Sequence, residues 1–204
     1  MNKEANKLST TIIGIDKLYY AKVKSDGEAG TKYGEPKHLG YVQELSVEPK
    51  VETASQYGDN RAIETASAMG AIDVKLKLTG IDPETEADVL GYEYANGATK
   101  KSAEAIAPEI ALMYRRLKAN GKYRYKVLYK GRLAIPSETT ATKEDKIDFQ
   151  STEFEASFMP RLSDGVFEYQ VDEEMKGADM AVIQKWFTEV PEPIIKEALI
   201  PLNK

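Results

Sequence analysis

Few side chains in this sequence are suited to catalysis, and His38 is the only histidine among them. A serine–histidine triad would depend on this one residue, and its place on the polar face of a predicted strand disfavours a catalytic or ligand role. The chain has no cysteine, which excludes disulfide bonds, thiolate nucleophiles and sulfur ligands for a metal.

Carboxylates occur close together at three places where a general acid–base pair could form. They are Glu84, Glu86 and Asp88; Glu153 and Glu155; and Asp172, Glu173 and Glu174. Such a pair needs environments that separate its two pKa values, and solvated helix starts, turns and strand faces account for these residues more simply. No glycine pattern matches a nucleotide-binding loop, and no spacing matches an EF-hand or zinc site. We therefore expect no enzyme activity, no cofactor and no metal site.

One segment alternates aromatic and basic residues. Its tyrosines are Tyr123, Tyr125 and Tyr129, and its basic residues are Arg124, Lys126, Lys130 and Arg132. Such a pattern could stack bases and hold phosphates, or it could be a strand with an aromatic core face and a basic outer face. The second interpretation is favoured, because the whole chain is acidic.

The overall charge sets limits on the partners of the protein. Its 204 residues include 28 Lys and Arg against 33 Asp and Glu, a net charge of −5. Tight binding of nucleic acid usually needs the opposite sign, although a negative surface keeps a moving polyanion from sticking. No apolar run suits a signal peptide or a membrane span, so a soluble protein made in a cytoplasm is expected.

The hydrophobic pattern predicts a mainly β fold of antiparallel hairpins, with two short helices. The predicted strands are Lys17 to Lys24, His38 to Val47, Ala71 to Leu78, Ile110 to Leu117, Tyr123 to Leu133, Ile147 to Pro160 and Val166 to Val171. The predicted helices are Pro83 to Leu90, with Asp82 as N-cap and Gly91 as its stop, and Ala178 to Glu189. Asn120-Gly121 predicts the turn of the central hairpin.

Two segments do not fit inside such a domain. Pro49 to Ala68 is about twenty residues of small, polar and charged types, and a loop above ~15 residues in a compact domain is usually functional or disordered. Beyond residue 190, prolines predict an extended C-terminal arm over 191–204, whose apolar side chains need a partner surface. The predicted organisation is one domain over 1–190, followed by the arm.

Four stretches of the chain together resemble a known family. They are KLYYAKV from Lys17, YGDNRAIETASAMG from Tyr57, NGKYRYKVLYKGRLAIPSE from Asn120 and WFTEVPEP from Trp186. In these stretches the chain resembles the major tail proteins of long-tailed, non-contractile phages of Gram-positive bacteria. The stretches follow the family's order and cover most of the chain up to Pro193.

The resemblance implies a tail-tube fold, which is a sandwich of two antiparallel sheets with a flanking short helix. Six subunits would form a ring around a continuous inner β-barrel, and the rings would stack into the tube that carries the genome during infection. The implied partners are further copies of the chain, the tape-measure and tail terminator proteins, and DNA passing through without sequence recognition. The protein would be part of the virion, assembled in the host cytoplasm, and would not insert into a membrane.

The resemblance also assigns candidate roles to individual residues. The candidate contacts between subunits are Tyr57, Asp59, Arg61 and Glu64 in the long loop, with Ile194 and Leu199 in the arm. The candidate lumen-facing residues are Glu44, Glu48, Glu153 and Glu155, on the polar faces of strands expected in the inner sheet. An acidic lumen would let DNA slide, whereas a lysine-lined lumen would hold it by counterion release.

Other functions stay open at this point. The chain could be a different phage structural subunit, such as a decoration, baseplate or sheath component. It could also be a carbohydrate-binding or adhesive β-sandwich, which the tyrosines suggest. An enzyme that depends on His38 is the third alternative.

Overall fold

The computed structural model describes residues 10–58, 61–137 and 151–193, with the side chains of residues 57, 58, 62, 63 and 66 left out. This part of the chain forms eleven strands and two helices. The strands are β1 (Ile12–Gly27), β2 (Gly30–Tyr33), β3 (Lys37–Gly40), β4 (Val42–Gly58), β5 (Arg61–Leu78), β6 (Glu93–Ala95), β7 (Ala98–Lys100), β8 (Ile110–Lys118), β9 (Tyr123–Leu133), β10 (Thr152–Phe158) and β11 (Glu168–Asp172); the helices are α1 (Pro83–Leu90) and α2 (Met180–Lys185).

Nine of these strands belong to one antiparallel sheet, which confirms the predicted mainly β, antiparallel fold. Its order is β2-β1-β8-β9-β10-β5-β4, with β3 also paired to β1 and β11 to β9, while β6 and β7 form a separate hairpin. The sheet folds over on itself and gives a sandwich-like arrangement that is not closed. The two halves of this sandwich therefore belong to a single sheet.

The main core fills the space between the two halves of the sheet. On β5, Ile72, Val74, Leu76 and Leu78 are all buried, as their alternation with polar residues predicts. They pack against apolar side chains of the other strands and of α1. These include Leu18, Leu112, Tyr114, Leu128, Phe154 and Phe158.

A second core covers the outer face of β8, β9 and β11. Tyr125, Val127 and Tyr129 point into it and meet α2 and the wholly buried Trp186. The aromatic face of this segment is thus a core face, as the favoured interpretation of its pattern states. Since Leu128 is buried in the main core, β9 is covered on both faces.

Within the segment from Pro49 to Ala68, the prediction that Lys50 to Ser55 continues the preceding strand is confirmed, and the prediction of a loop beyond it is wrong. Strands β4 and β5 run through it and pair in register, with Thr53 opposite Ser67 and Ser55 opposite Thr65. Composition misled the prediction, because an antiparallel ladder forms between main-chain groups and does not require apolar side chains.

Several predicted boundaries also differ from the structure. His38 to Val47 is divided between β3 and β4, and Tyr41 between them is 76% exposed although its alternation predicted an inward side chain. Helix α2 is shorter than the predicted Ala178 to Glu189. Helix α1 is as predicted: Asp82 caps it by accepting from two backbone N–H groups, and Gly91 ends it with a left-handed φ of 74°.

A buried ion pair joins β1 to β9. The Asp26 carboxylate, 3% exposed, accepts from Lys130 Nζ at 2.7 Å, from the Thr31 hydroxyl at 2.8 Å and from the Leu162 N–H at 2.9 Å. Burial alone would raise the pKa of Asp26, but these hydrogen bonds and the Lys130 charge lower it from 3.8 to about 2. The ionised form of Asp26 therefore stabilises the folded chain.

We expect this pair to make stability depend on pH. Since the folded-state pKa is lowered, the contribution is complete above the ordinary value of 3.8 and is lost as the pH falls towards 2. Urea unfolding of the wild type and of an Asp26→Asn, Lys130→Gln variant should give free energies whose difference shrinks across that range. The matched control is the exposed pair Glu93 and Lys100, whose replacement by Gln should leave the pH dependence of the unfolding free energy as it is in the wild type. An equal pH dependence in all three proteins would contradict the assignment.

Close packing of Gly131 against Phe158 marks the place where β9 passes from one half of the sheet to the other. A Cβ at Gly131 would lie 2.4–2.7 Å from atoms of the Phe158 ring. Gly131→Ala should therefore lower the free energy of unfolding by about 1–3 kcal/mol, since overpacking outweighs the loss of unfolded-state freedom. Gly14→Ala in β1, where the new Cβ would meet Leu117 at 3.8 Å, is the control that urea unfolding should find nearly neutral.

Candidate functional site

The residues considered for catalysis do not come together in a catalytic arrangement. His38 is exposed and packs its ring edgewise against Tyr19 and Tyr41. Asp88 holds α1 against the sheet by accepting from the Tyr20 hydroxyl at 2.7 Å and from Lys22 Nζ at 2.5 Å. Among the described residues there is no group of three or more His, Cys, Asp or Glu side chains that could hold a metal ion.

The acidic cluster at the end of β11 also has a structural role. Lys118 is fully buried and forms ion pairs with Asp172 and Glu174. Hydrogen bonds from Lys118, the Glu174 N–H and Arg124 lower the pKa of Asp172, against the opposing effect of its burial. This cluster joins the ends of β8, β9 and β11.

The most distinctive surface is formed by charged side chains on one side of β4, β5 and β10, and we call it the charged face. It is the side of these strands opposite the main core, because side chains alternate along a strand. Its members are Glu44, Ser46 and Glu48 on β4, Asp73, Lys75 and Lys77 on β5, and Glu153, Glu155 and Ser157 on β10. The fold thus brings all four sequence-predicted carboxylates together on one face.

Register on this face places each lysine beside an acidic residue. Lys77 lies between Glu44 on one neighbouring strand and Glu153 on the other, and its Nζ is 3.0 Å from the Glu153 carboxylate. The hydrogen bond from Lys77 to Glu153, then the Glu153 and Glu44 charges, raise the pKa of Lys77. Lys75 approaches Glu155 at 4.0 Å.

The charged face carries more negative than positive charge. Its four glutamates face two lysines, while Asp73 has a separate partner in Lys50 at 2.5 Å. Within the described ranges, Glu44 and Glu48 form no ion pair, and Glu48 accepts a hydrogen bond from Ser46 at 3.1 Å. The lysines thus form their closest contacts with β10, and the exposed β4 carboxylates interact with lysines only through charge at longer range.

Strand β4 is an edge of the sheet. Its only strand partner in the described part of the chain is β5, so among the described residues no strand pairs with its other side along its 17 residues. A long exposed edge is a ready template for another strand, and folded proteins normally cover, shorten or disrupt such edges.

The distal part of the β4–β5 hairpin projects beyond both cores, and we call its residues 50–58 and 61–70 the projecting arm. Its described side chains are almost all exposed, on both faces. Hydroxyl pairs lie across one face, Thr53 with Ser67 at 3.1 Å and Ser55 with Thr65 at 3.3 Å. A two-stranded hairpin with neither face covered is only marginally stable in water.

The sequence-predicted interface residues fall partly on this arm. Arg61 begins β5 and Glu64 lies opposite Gln56, and both are exposed. Tyr57 lies in β4, but its side chain is outside the described part of the chain, as are Asp59, Ile194 and Leu199 in full.

The predicted C-terminal arm begins on the domain surface. Pro191 is buried, and its carbonyl accepts from the Tyr129 hydroxyl at 2.7 Å. Glu192 pairs with the buried Arg161 at 2.9 Å, and the Arg161 guanidinium lies 4.1 Å from the centre of the Tyr129 ring. Residues 191–193 are therefore attached to the domain, and residues 194–204 lie outside the described part.

Comparisons with protein families and curated proteins do not identify a function for these features. No protein-family model matches the chain, and no curated protein matches it. None of the helices within the described ranges is long and apolar enough to cross a membrane. The functional interpretation therefore depends on the charged face, the open edge of β4 and the projecting arm.

Proposed function

We propose that this chain is a structural subunit of the tail tube of a long-tailed phage, and that it catalyses no reaction. Copies of the chain form hexameric rings, and the rings stack into a tube that conducts genomic DNA. The observation that supports this most is the β4–β5 hairpin, which combines an unpaired edge, an uncovered projecting arm and a charged face in one element. The resemblance in sequence to major tail proteins agrees with it.

The strand directions suit a closed ring. Strands β4, β5, β10 and the end of β9 alternate in direction, because each neighbouring pair is antiparallel. With an even number of strands in each copy, the outer edge of one copy meets β4 of the next in antiparallel orientation. Repetition of this head-to-tail contact closes a barrel and leaves no exposed edge.

The charged face becomes the lumen in this assembly. A duplex carries about one negative charge per ~1.7 Å, so cations free to contact phosphate would hold it. Glu153 and Glu155 engage Lys77 and Lys75, and the β4 carboxylates add negative charge. Such a lumen repels the phosphates weakly and lets DNA move.

The burial of two tyrosines disfavours the carbohydrate-binding alternative. The tyrosines that suggested it include Tyr125 and Tyr129, whose rings are 7% and 0% exposed. A buried aromatic ring cannot stack on a sugar.

The projecting arm and the ends of the tube provide the contacts for neighbouring rings of subunits, the tape-measure protein and the tail terminator.

Removal of the projecting arm should abolish tube formation. A variant in which Asn-Gly replaces residues 53–67 joins Glu52 to its register partner Ala68 through a two-residue turn. It should remain folded, with a melting temperature close to that of the wild type, because none of the described side chains of this segment belongs to either core. Negative-stain electron microscopy should find tubes for the wild type and none for the variant. Normal tubes from the shortened protein would refute the role of the arm.

Loss of a lumen carboxylate should make the tube bind DNA more tightly. Glu153→Gln releases Lys77, and we expect affinity for a labelled linear duplex to rise roughly threefold to tenfold at low salt, with a steeper salt dependence. Glu93→Gln is the matched control, because Glu93 pairs with Lys100 at 3.1 Å on the β6–β7 hairpin, away from the charged face. Fluorescence anisotropy on assembled tubes measures both, and equal affinities in the two variants would count against this lumen.

A further inference from the structure

A cleft of mixed lining lies beneath the open edge of β4, where apolar side chains occur together with Arg116, Lys126 and Glu168. It has a volume of about 720 Å³ and separates β4 from the opposite half of the sandwich. Its apolar lining includes Ile12, Ile15, Leu45, Val47, Tyr114 and Phe167. The cleft exists because β4 and β1 approach without pairing, so the folded sheet stays open at this side.

An exposed isoleucine lies at the other edge of the half of the sheet that contains β4, β5 and β10. After β9 the chain continues along β10, where the Ala134 N–H donates to the Glu155 carbonyl at 2.7 Å and Ser137 forms a bridge with Glu153. Ile135 between them is 72% exposed. Ile135 follows the buried Leu133 by two residues, the spacing at which side chains of an extended chain share one face, and the register against β10 shifts by one residue between Ala134 and Ser137.

The two features are complementary across a junction between copies. We propose that Ile135 of one copy inserts beneath β4 of the next copy, into the cleft lined by Leu45 and Val47. This inference rests on the proposed ring, in which the segment 134–137 of one copy runs antiparallel to β4 of its neighbour. The main-chain pairing then continues the sheet, and the isoleucine continues the apolar core from one copy into the next.

This contact would explain why the edge and the cleft occur together. A strand added to β4 places alternate side chains over the space beneath it, where Leu45 and Val47 supply apolar lining. Ile135 supplies an apolar side chain at the one edge of the sheet half that can reach β4 in a head-to-tail arrangement. Pro136 next to it is typical of an edge strand, since proline cannot donate to a ladder.

A charge at Ile135 should block ring formation without affecting the fold. Ile135→Asp should reduce the assembled fraction at least tenfold, because a charged group would replace the apolar contact with Leu45 and Val47. Ile106→Asp is the matched control, since Ile106 is 74% exposed and lies between β7 and β8, away from both edges. Sedimentation velocity measures assembly, and circular dichroism verifies folding. Assembly of Ile135→Asp at the wild-type level, or equal loss in both variants, would overturn the proposal.

Cross-linking tests the contact in a second way, and the cysteine-free chain makes it specific. Tubes of the Ile135→Cys, Val47→Cys variant, treated with a short bis-maleimide, should give a ladder of covalent oligomers on denaturing gels. Ile135→Cys with Glu48→Cys is the control, because Glu48 is adjacent to Val47 in sequence but lies on the charged face and does not line the cleft. A ladder of equal strength in the control, or no ladder in tubes of the test variant, would overturn the proposal.

Different results would contradict the proposed function and the proposed Ile135 contact. If the wild-type protein forms neither rings nor tubes, the proposed function is wrong. If it forms tubes and Ile135 does not cross-link to β4 of a neighbour, the ring stands and only this contact is wrong.

Discussion

The passage of β9 between the two halves of the folded sheet is the constraint on which the rest of the structure depends. Its first part pairs with β8 and β11, and its last three residues pair with β10. The crossing requires the Phe158 ring to lie where a side chain at position 131 would otherwise stand. Because β9 belongs to both halves, β5 is held opposite β1 and β8, and the main core forms between them.

The same arrangement decides what remains on the outside. With the apolar side of β4, β5 and β10 turned inward, strict alternation turns their carboxylates and lysines outward onto one continuous face. In the described part of the chain the sheet is folded but not closed, and β4 has a single strand partner and borders a partly apolar cleft. The proposed ring completes this sheet with the same kind of pairing that forms the fold.

Sequence reasoning succeeded at several places where a local pattern was sufficient, and it failed at Tyr41, where the strand is interrupted. The inward face of β5, the cap and end of α1 and the central hairpin turn follow from local periodicity and residue type. Grouping Glu44 and Glu48 with Glu153 and Glu155 also needed the strand order, which the resemblance to tail proteins supplied. Most of the projecting arm was mistaken for a loop because its small polar residues have no apolar face, and it pairs through its main chain alone.

The amino-acid sequence by itself determined the mainly β class, the acidic charge and the absence of thiol chemistry, since composition and alternation are properties of the chain. Only the tertiary structure decided that one sheet folds on itself, that β4 is an edge, and that Ile135 is exposed at the opposite edge of the same sheet half. The physical reason is that pairing partners, register and exposure arise between segments far apart in sequence. Alternation states which residues share a face but not which strand lies beside it.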